Sequence, residues 1–207
     1  TENASHEIQT PLAIVKNKLE ILLQSPDLSS EQMNLINSAS LAANRLSKLN
    51  EALIILSKIE NRQFHETTNL CVNDEIDRLY ANLDELIKMK GLQIEKNYAQ
   101  PMVIKMNTHL LGVLLENIIT NSIKHNITGG NIHIAITDQT LTVSNTGEPL
   151  KIASEKLFQR FVKSNVKSQS LGLGLSIIKA ICNTYSFYVT YVEEGGWHTI
   201  SIQTDQV

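Results

Sequence analysis

Several residue types that mark special structural classes are scarce here. The 207 residues include two cysteines, four prolines, nine glycines and one tryptophan. Cys71 and Cys182 lie in apolar surroundings without metal-ligand spacing, which excludes a disulfide scaffold and a thiolate metal centre and suits a reducing compartment. Charge is also nearly balanced, at −3 overall, so the global basic field that nucleic acid or anionic lipid would require is missing. No apolar run approaches the ~18 residues of a membrane-spanning helix, and no signal peptide is visible. What remains is a globular composition, 42 % hydrophobic and 19 % charged, with ample material for a core. The length suits one large domain or two ordinary ones. The sequence opens mid-pattern at Thr1-Glu2-Asn3 without an initiator Met and reads as a piece of a longer protein.

The first sixty residues contain no glycine. Ile8, Leu12, Val15, Leu19 and Leu22 recur at spacings of four and three, the period of an amphipathic helix. Ser25-Pro26-Asp27 breaks it. Ser29 or Ser30, followed by Glu31-Gln32, has the form of an N-cap with a capping-box partner. Beyond it Leu35, Ala39, Ala42, Leu46, Leu49, Leu53 and Leu56 form a heptad seam. Two such helices in a hairpin cannot bury both stripes, so pairing two copies into a four-helix bundle is expected.

From about residue 62 the texture changes. Strands are expected near 65–72, 92–97, 102–106, 131–137, 140–145, 187–193 and 197–203, and helices near 74–90, 108–125 and from about Gly172. Glu194-Gly195-Gly196 reads as a hairpin turn. Helices against one mostly antiparallel sheet make an α+β sandwich. The irregular stretch 147–171 has the length of a lid or binding loop. The division expected is 1–62 and 63–207.

On the first helix, His6 and Thr10 fall about 160° and 200° from the apolar stripe led by Ile8, at ~100° per residue. They are one turn apart, with Glu7 adjacent. A lone helical histidine is ordinarily a surface residue. Beside a carboxylate, though, an imidazole can have its tautomer fixed and one ring nitrogen left free to attack. Pro11 removes one helical hydrogen bond just beyond.

The string Ser5-His6-Glu7-Ile8-Gln9-Thr10-Pro11-Leu12 resembles the H-box of sensor histidine kinases, S-H-E-[LI]-R-T-P-L, with Gln9 in place of the basic residue. The resemblance implies that His6 is phosphorylated on its ring and passes the phosphoryl group to an aspartate of a response regulator receiver domain. It also implies that Glu7 is the general base, and that Thr10 orients water when the regulator is dephosphorylated.

No Walker P-loop occurs. On the strongly apolar segment Leu110–His125, however, Asn117, Asn121 and Lys124 share one face. Buried amides without partners are costly, by roughly 1–3 kcal/mol each, so such a face covers a polar ligand or joins a network, unless it is solvated. Amide oxygens suit a hard cation that keeps waters and takes phosphates.

Leu-Leu-Glu-Asn117-Ile-Ile-Thr-Asn121-Ser-Ile-Lys124-His125 resembles the N-box of the same kinases. By that resemblance Asn121 ligates Mg²⁺, Asn117 supports the metal or its water, and Lys124 faces phosphate. His125 stands where an aromatic residue contacts the nucleotide. Asn145-Thr146-Gly147-Glu148-Pro149 resembles the G1 box D-x-G-x-G, with Asn145 for the adenine-reading aspartate and Pro149 for the second glycine. Phe158-Gln159-Arg160-Phe161-Val162-Lys163 resembles the F-box, its Phe158 and Phe161 anchoring a lid and Arg160 and Lys163 reaching the triphosphate. From 151 to 168 the lid carries Lys151, Lys156, Arg160, Lys163 and Lys167 against Glu155, a local +4, which suits closure over a triphosphate. Ser170-Leu171-Gly172-Leu173-Gly174 resembles the G2 box, where Gly172 and Gly174 let backbone approach phosphate as a helix begins.

Taken together, the resemblance implies the cytoplasmic catalytic core of a membrane-anchored bacterial sensor kinase. It would be a homodimer using ATP and Mg²⁺, with a GHKL-type nucleotide-binding sandwich and no nucleic-acid partner. Any membrane contact would come from segments outside this chain. Two other functions remain open. Asn145, Pro149 and Ser170 are compatible with a degenerate kinase acting as a dimeric scaffold or phosphatase. The nucleotide-binding fold is also that of ATP-driven clamps such as gyrase, although Asn117 stands where those enzymes place a catalytic glutamate.

Overall fold

The computed structural model describes residues 2–137, 139–163 and 170–204, with side chains from Glu7 onward. The chain divides into two compact units, Thr1–Asn61 and Arg62–Val207.

The first unit is an antiparallel pair of helices, α1 (Glu2–Leu23) and α2 (Ser30–Glu60). Ser29 is the N-cap of α2. Its hydroxyl accepts from the Gln32 amide at 3.2 Å, and the Gln32 side chain accepts from Ser29 N–H at 2.9 Å. This reciprocal capping box satisfies two donors that a helix start otherwise leaves orphaned. Pro11 lies within α1. Leu12, Ala43 and Asn50 are buried, whereas Ile8, Val15 and Leu22 remain 46–48 % exposed. Along α2 the expected heptad seam is open at Leu35, Leu46 and Leu53, whereas its last member, Leu56, is buried. Most of the seam therefore faces outward, and Ala43, Asn50, Leu56 and Ile59 are the buried residues of α2.

The second unit begins with β1 (Thr68–Cys71), α3 (Val72–Asn82), α4 (Asp84–Lys90), β2 (Gln93–Tyr98) and β3 (Val103–Met106). It continues through α5 (Thr108–Lys124), β4 (Asn131–Thr137), β5 (Thr140–Thr146), α6 (Gly174–Thr184), β6 (Tyr188–Glu194) and β7 (Trp197–Gln203). Five strands form a sheet in the order β2-β4-β5-β7-β6, in which only the β2–β4 pairing is parallel. Alternation sorts its faces. Ile132, Ile134 and Ile136 of β4, Leu141 and Val143 of β5, and Ile200 and Ile202 of β7 are buried. On the opposite face Thr142 pairs with Ser201 and Ser144 with Thr199 through hydroxyl hydrogen bonds. Helix α5 packs against α6 and β5, with Leu110, Leu111, Leu114, Leu115, Ile118, Ile119 and Ile123 at most 2 % exposed. Full burial of each such side chain contributes about 1.5–3 kcal/mol, which outweighs the helix's polar face.

Three expectations change. The segment expected as one helix over 74–90 is two, because the chain turns at Leu83 (ψ 6°) and restarts with Asp84 and Glu85 in the first turn of α4, where acidic residues favour a helix start. Strands β1 and β3 pair with each other in a separate two-stranded ribbon rather than joining the sheet. The last helix starts at Gly174, since Gly172 has φ +70° and cannot continue a right-handed helix. The β6–β7 connection uses Gly195 (φ 60°) and Gly196 (φ 80°), the double left-handed turn that two-residue hairpins favour. Among the described residues, no helix is long and apolar enough to cross a membrane.

Candidate functional site

On α1, Glu7 and Thr10 are exposed. His6 belongs to the same helix by its backbone, and its side chain lies outside the described residues. A groove of about 410 Å³ runs along this unit, lined by Leu12, Lys16, Asn17, Glu20, Asn50 and Glu51 among others.

In the second unit, α5 carries the amide face. Asn107 caps its start, its side-chain oxygen accepting from Leu110 N–H at 3.2 Å while its amide donates to Glu66 O at 3.0 Å. Asn117 donates through Nδ2 to Val113 O at 2.7 Å. Its Oδ1 lies against Gly174, where an added Cβ would come within 2.9 Å of it. Thus α6 begins against the amide face of α5, and a Cβ at position 174 would force the Asn117 side chain to shift. Asn121 is half-buried, and its amide has no hydrogen-bond partner among the described residues. Lys124 is exposed in the last turn. The ammonium of Lys90 donates to the carbonyls of Ile123 at 2.8 Å and Lys124 at 3.1 Å. It thereby satisfies carbonyls that the helix end leaves open, with charge of the favourable sign.

The end of β5 reaches the same region. Asn145 is buried, 7 % exposed, and its Nδ2 donates to Thr146 O at 2.8 Å. That bond fixes the amide so that Oδ1 is presented as an acceptor. Thr146 Oγ1 donates to Asn126 Oδ1 at 2.6 Å and accepts from Asn131 N–H at 2.9 Å, and Asn126 Nδ2 donates to Asn131 O at 3.0 Å. The network ties the loop after α5 to β5. Gly147 N–H donates to Gly196 O at 2.9 Å. A Cβ on Gly147 would approach His198 Cδ2 to 2.5 Å and His125 O to 3.0 Å. His198 is itself buried and bonded to Tyr191 and to Glu148 O. Desolvation first, then the nearby His198, Lys124 and Lys90 charges, lower the pKa of the His125 imidazole below its ordinary value. Neutral near pH 7, that ring is suited to lie against a heterocycle.

Parts of the expected lid lie among the described residues. Leu157 is buried in a short 3-10 turn, Ser154–Phe158. The Phe158 ring lies 5.9 Å from the Lys179 ammonium. Phe161, with φ 66°, donates its N–H to Gly172 O at 2.8 Å. A Cβ on Gly172 would meet Val162 O at 2.6 Å, so Phe161 and Val162 are held backbone to backbone against Gly172. Leu173 is buried, Arg160 exposed and Lys163 half-buried. Lys167 lies outside the described residues.

The structure therefore brings Asn117 to Gly174, Phe161 to Gly172, and His125 to Gly147. Sequence reasoning missed Lys90, Asn126, Tyr191 and His198. Of these only His198 had a visible signal, a histidine in phase with Ile200 and Ile202 on the inward face of a strand. The residues fit a nucleotide with a hard cation. The amide oxygens of Asn117 and Asn121 are of the right chemistry, the Asn121 side chain has no hydrogen-bond partner among the described residues, and Gly174 leaves a space that a Cβ would fill. No cluster of three or more His, Cys, Asp or Glu with metal-binding spacing occurs among the described residues, so a cation here would depend on amides, water and phosphate.

Residues 1–62 match the family model described as His Kinase A (phospho-acceptor) domain. Residues 106–206 match that of histidine kinase-, DNA gyrase B-, and HSP90-like ATPase. The chain belongs to the histidine kinase family. This kinase chain is 30 % identical over 206 residues to the heme sensor protein HssS of Staphylococcus saprophyticus, covering 93 % of this chain and 43 % of that protein. It thus spans less than half the length of the curated relatives it matches. Its fold is similar to that of the Acinetobacter baumannii histidine kinase AdeS, with a TM-score of 0.66 at 20 % identity over 97 % of both chains. It is also similar to full-length ShkA in complex with AMPPNP, with a TM-score of 0.74 at 17 % identity over all of this chain and 46 % of that one. The kinase's second matched segment is an ATP-binding domain by family.

Proposed function

We propose that the chain is the catalytic core of a two-component sensor kinase, with a dimerising, histidine-bearing domain over 1–62 and a nucleotide-binding domain over 63–207. The observation that carries this reading is the meeting of α5 and α6, where the Asn117 carbonyl faces Gly174 beside the amide of Asn121, which has no partner among the described residues. ATP binds there. Asn145 Oδ1 accepts from the 6-amino group of adenine, His125 lies against the base, and Arg160, Lys163 and Lys124 face the phosphates. Asn121, with Asn117 in support, would hold Mg²⁺, which when bound would supply charge neutralisation to the triphosphate.

The His6 imidazole nitrogen forms a bond to the γ-phosphorus as the bond to the bridging oxygen of ADP breaks, while Glu7 takes the ring proton. The phosphoryl group then passes to an aspartate of a receiver domain. Thr10 serves the reverse function, orienting water for regulator dephosphorylation. The exposed seam of Leu35, Leu46 and Leu53, with Ile8, Val15 and Leu22 on α1, supports a homodimer. Incubation with γ-labelled ATP tests the reading: label is retained by the parent chain and lost in His6→Gln.

A scaffold or phosphatase with little ATP turnover is the second reading, motivated by Asn145, Pro149 and Ser170. It is favoured if neither protein takes label while the dimer and regulator dephosphorylation persist.

A further inference from the structure

We propose that Tyr191 and His198 are positioning residues that set the base end of the nucleotide site by holding the Gly147–Glu148 turn beside Asn145. This rests on the nucleotide reading above. The hydrogen-bond logic is closed. Glu148 O, at 2.9 Å from His198 Nε2, is a carbonyl and can only accept, so Nε2 carries the proton. In the neutral ring Nδ1 is then an acceptor, and the Tyr191 hydroxyl at 2.9 Å donates to it. The relay runs Tyr191 O–H to His198 Nδ1, then His198 Nε2–H to Glu148 O.

The placement gives this relay a function. His198 is the antiparallel partner of Asn145, so both side chains share the inward face of the sheet. The His198 ring also lies so close to Gly147 that no Cβ fits between them, and Gly147 N–H is tied to Gly196 O. The turn is thus gripped by β7, through His198, and by the glycine turn that leads into it. Asn145 lacks the charge that would tolerate a displaced base, so its single neutral hydrogen bond depends on where that turn stands. The sequence places Pro149 after Glu148, removing a backbone donor that could otherwise anchor the turn.

Nucleotide binding to the 207-residue chain, measured by calorimetry with ATP, inosine triphosphate and inorganic triphosphate, tests the inference. Tyr191→Phe removes one hydroxyl and keeps the ring. It should weaken ATP about twofold to tenfold, the ordinary effect of one buried hydrogen bond, and narrow the preference for ATP over inosine triphosphate. Inorganic triphosphate binding should be unchanged. His198→Ala should weaken ATP further, and His198→Gln, which can still donate to Glu148 O, should recover part of the loss. Equal loss of ATP and inorganic triphosphate in the correctly folded Tyr191→Phe chain, or no change in ATP affinity and base preference, would overturn the inference. A parent chain that binds no ATP would instead overturn the nucleotide reading itself.

Discussion

The two units solve the burial problem in opposite ways. In the second, the apolar residues of α5 and β4 are sealed, Leu110, Ile123, Ile132 and Ile136 having no measurable exposure. In the hairpin, Ile14 and Ile21 are more than half exposed, and Leu35 is 66 % exposed. A sheet with helices across one face can enclose its own core. Two helices cannot, because each presents a stripe wider than the other can cover. The nucleotide unit is therefore complete as a single copy, while the hairpin has an apolar face left over. Under the proposed function, the fold that grips nucleotide is separate from the fold that brings copies and partners together.

That contrast can be broken most strongly at the seam. Leu46→Asp with Leu53→Asp places charge on a face that a dimer would bury, where unpaired charges cost several kcal/mol. Sedimentation should show monomer at micromolar concentration, while nucleotide affinity stays at the parental value. A dimer that survives the double substitution would mean the seam is not the interface.

The reverse experiment is Asn121→Ala. If this amide holds the cation as proposed, its removal should weaken Mg²⁺–ATP binding roughly 10–100-fold, the scale of losses seen around metal sites, with sedimentation unaltered. Calorimetry showing parental affinity would remove Asn121 from the site.

The units were not equally legible in the sequence. The strand alternation of 131–137 and 197–203 is a periodic signal found where its period places it, and the Ser29 cap is a local one; the heptads located α2, but within one copy most of their seam stays exposed. The break at Leu83 is not periodic, since Ile76, Tyr80 and Ile87 can all be buried by one helix or by two. The separate β1–β3 ribbon was hidden because pairing partners thirty residues apart leave no local pattern. At the site, glycines and amides were visible as residue types, but their reasons were not. Gly174 lets Asn117 stand opposite it without a shift, and Gly147 leaves no room for a Cβ beside the His198 ring. Lys90 was missed because a lysine that caps another helix's carbonyls looks, in sequence, like any surface lysine.

A smaller effect is expected at Gly172. Alanine there would sit at φ +70°, which costs an L-residue roughly 1–2 kcal/mol, and would meet Val162 O at 2.6 Å. The Tm should fall by a few degrees at ~2–4 °C per kcal/mol, with the hairpin's dimerisation unchanged. An unaltered Tm would show that Phe161 and Val162 are not held against Gly172 as described.

The smallest effect concerns pH. His125 is held below its ordinary value of 6.5, so in the window between its folded value and 6.5 the unfolded chain binds more protons. Stability contributed by the neutral ring is therefore present above about pH 6.5 and is lost as pH falls through the lower folded value. The residue is partly exposed, so solvent screens the effect. His125→Asn should flatten the acid limb of the Tm profile slightly, and an identical limb in both proteins would contradict the assignment.

The central claim is that a nucleotide gripped by the second unit delivers its terminal phosphoryl group to His6 of the first. The direct measurement is acid-labile, base-stable label from γ-labelled ATP on the purified chain, beside His6→Gln. Label on the parent and none on the variant is the predicted result; equal label on both, or label that resists acid, would contradict it.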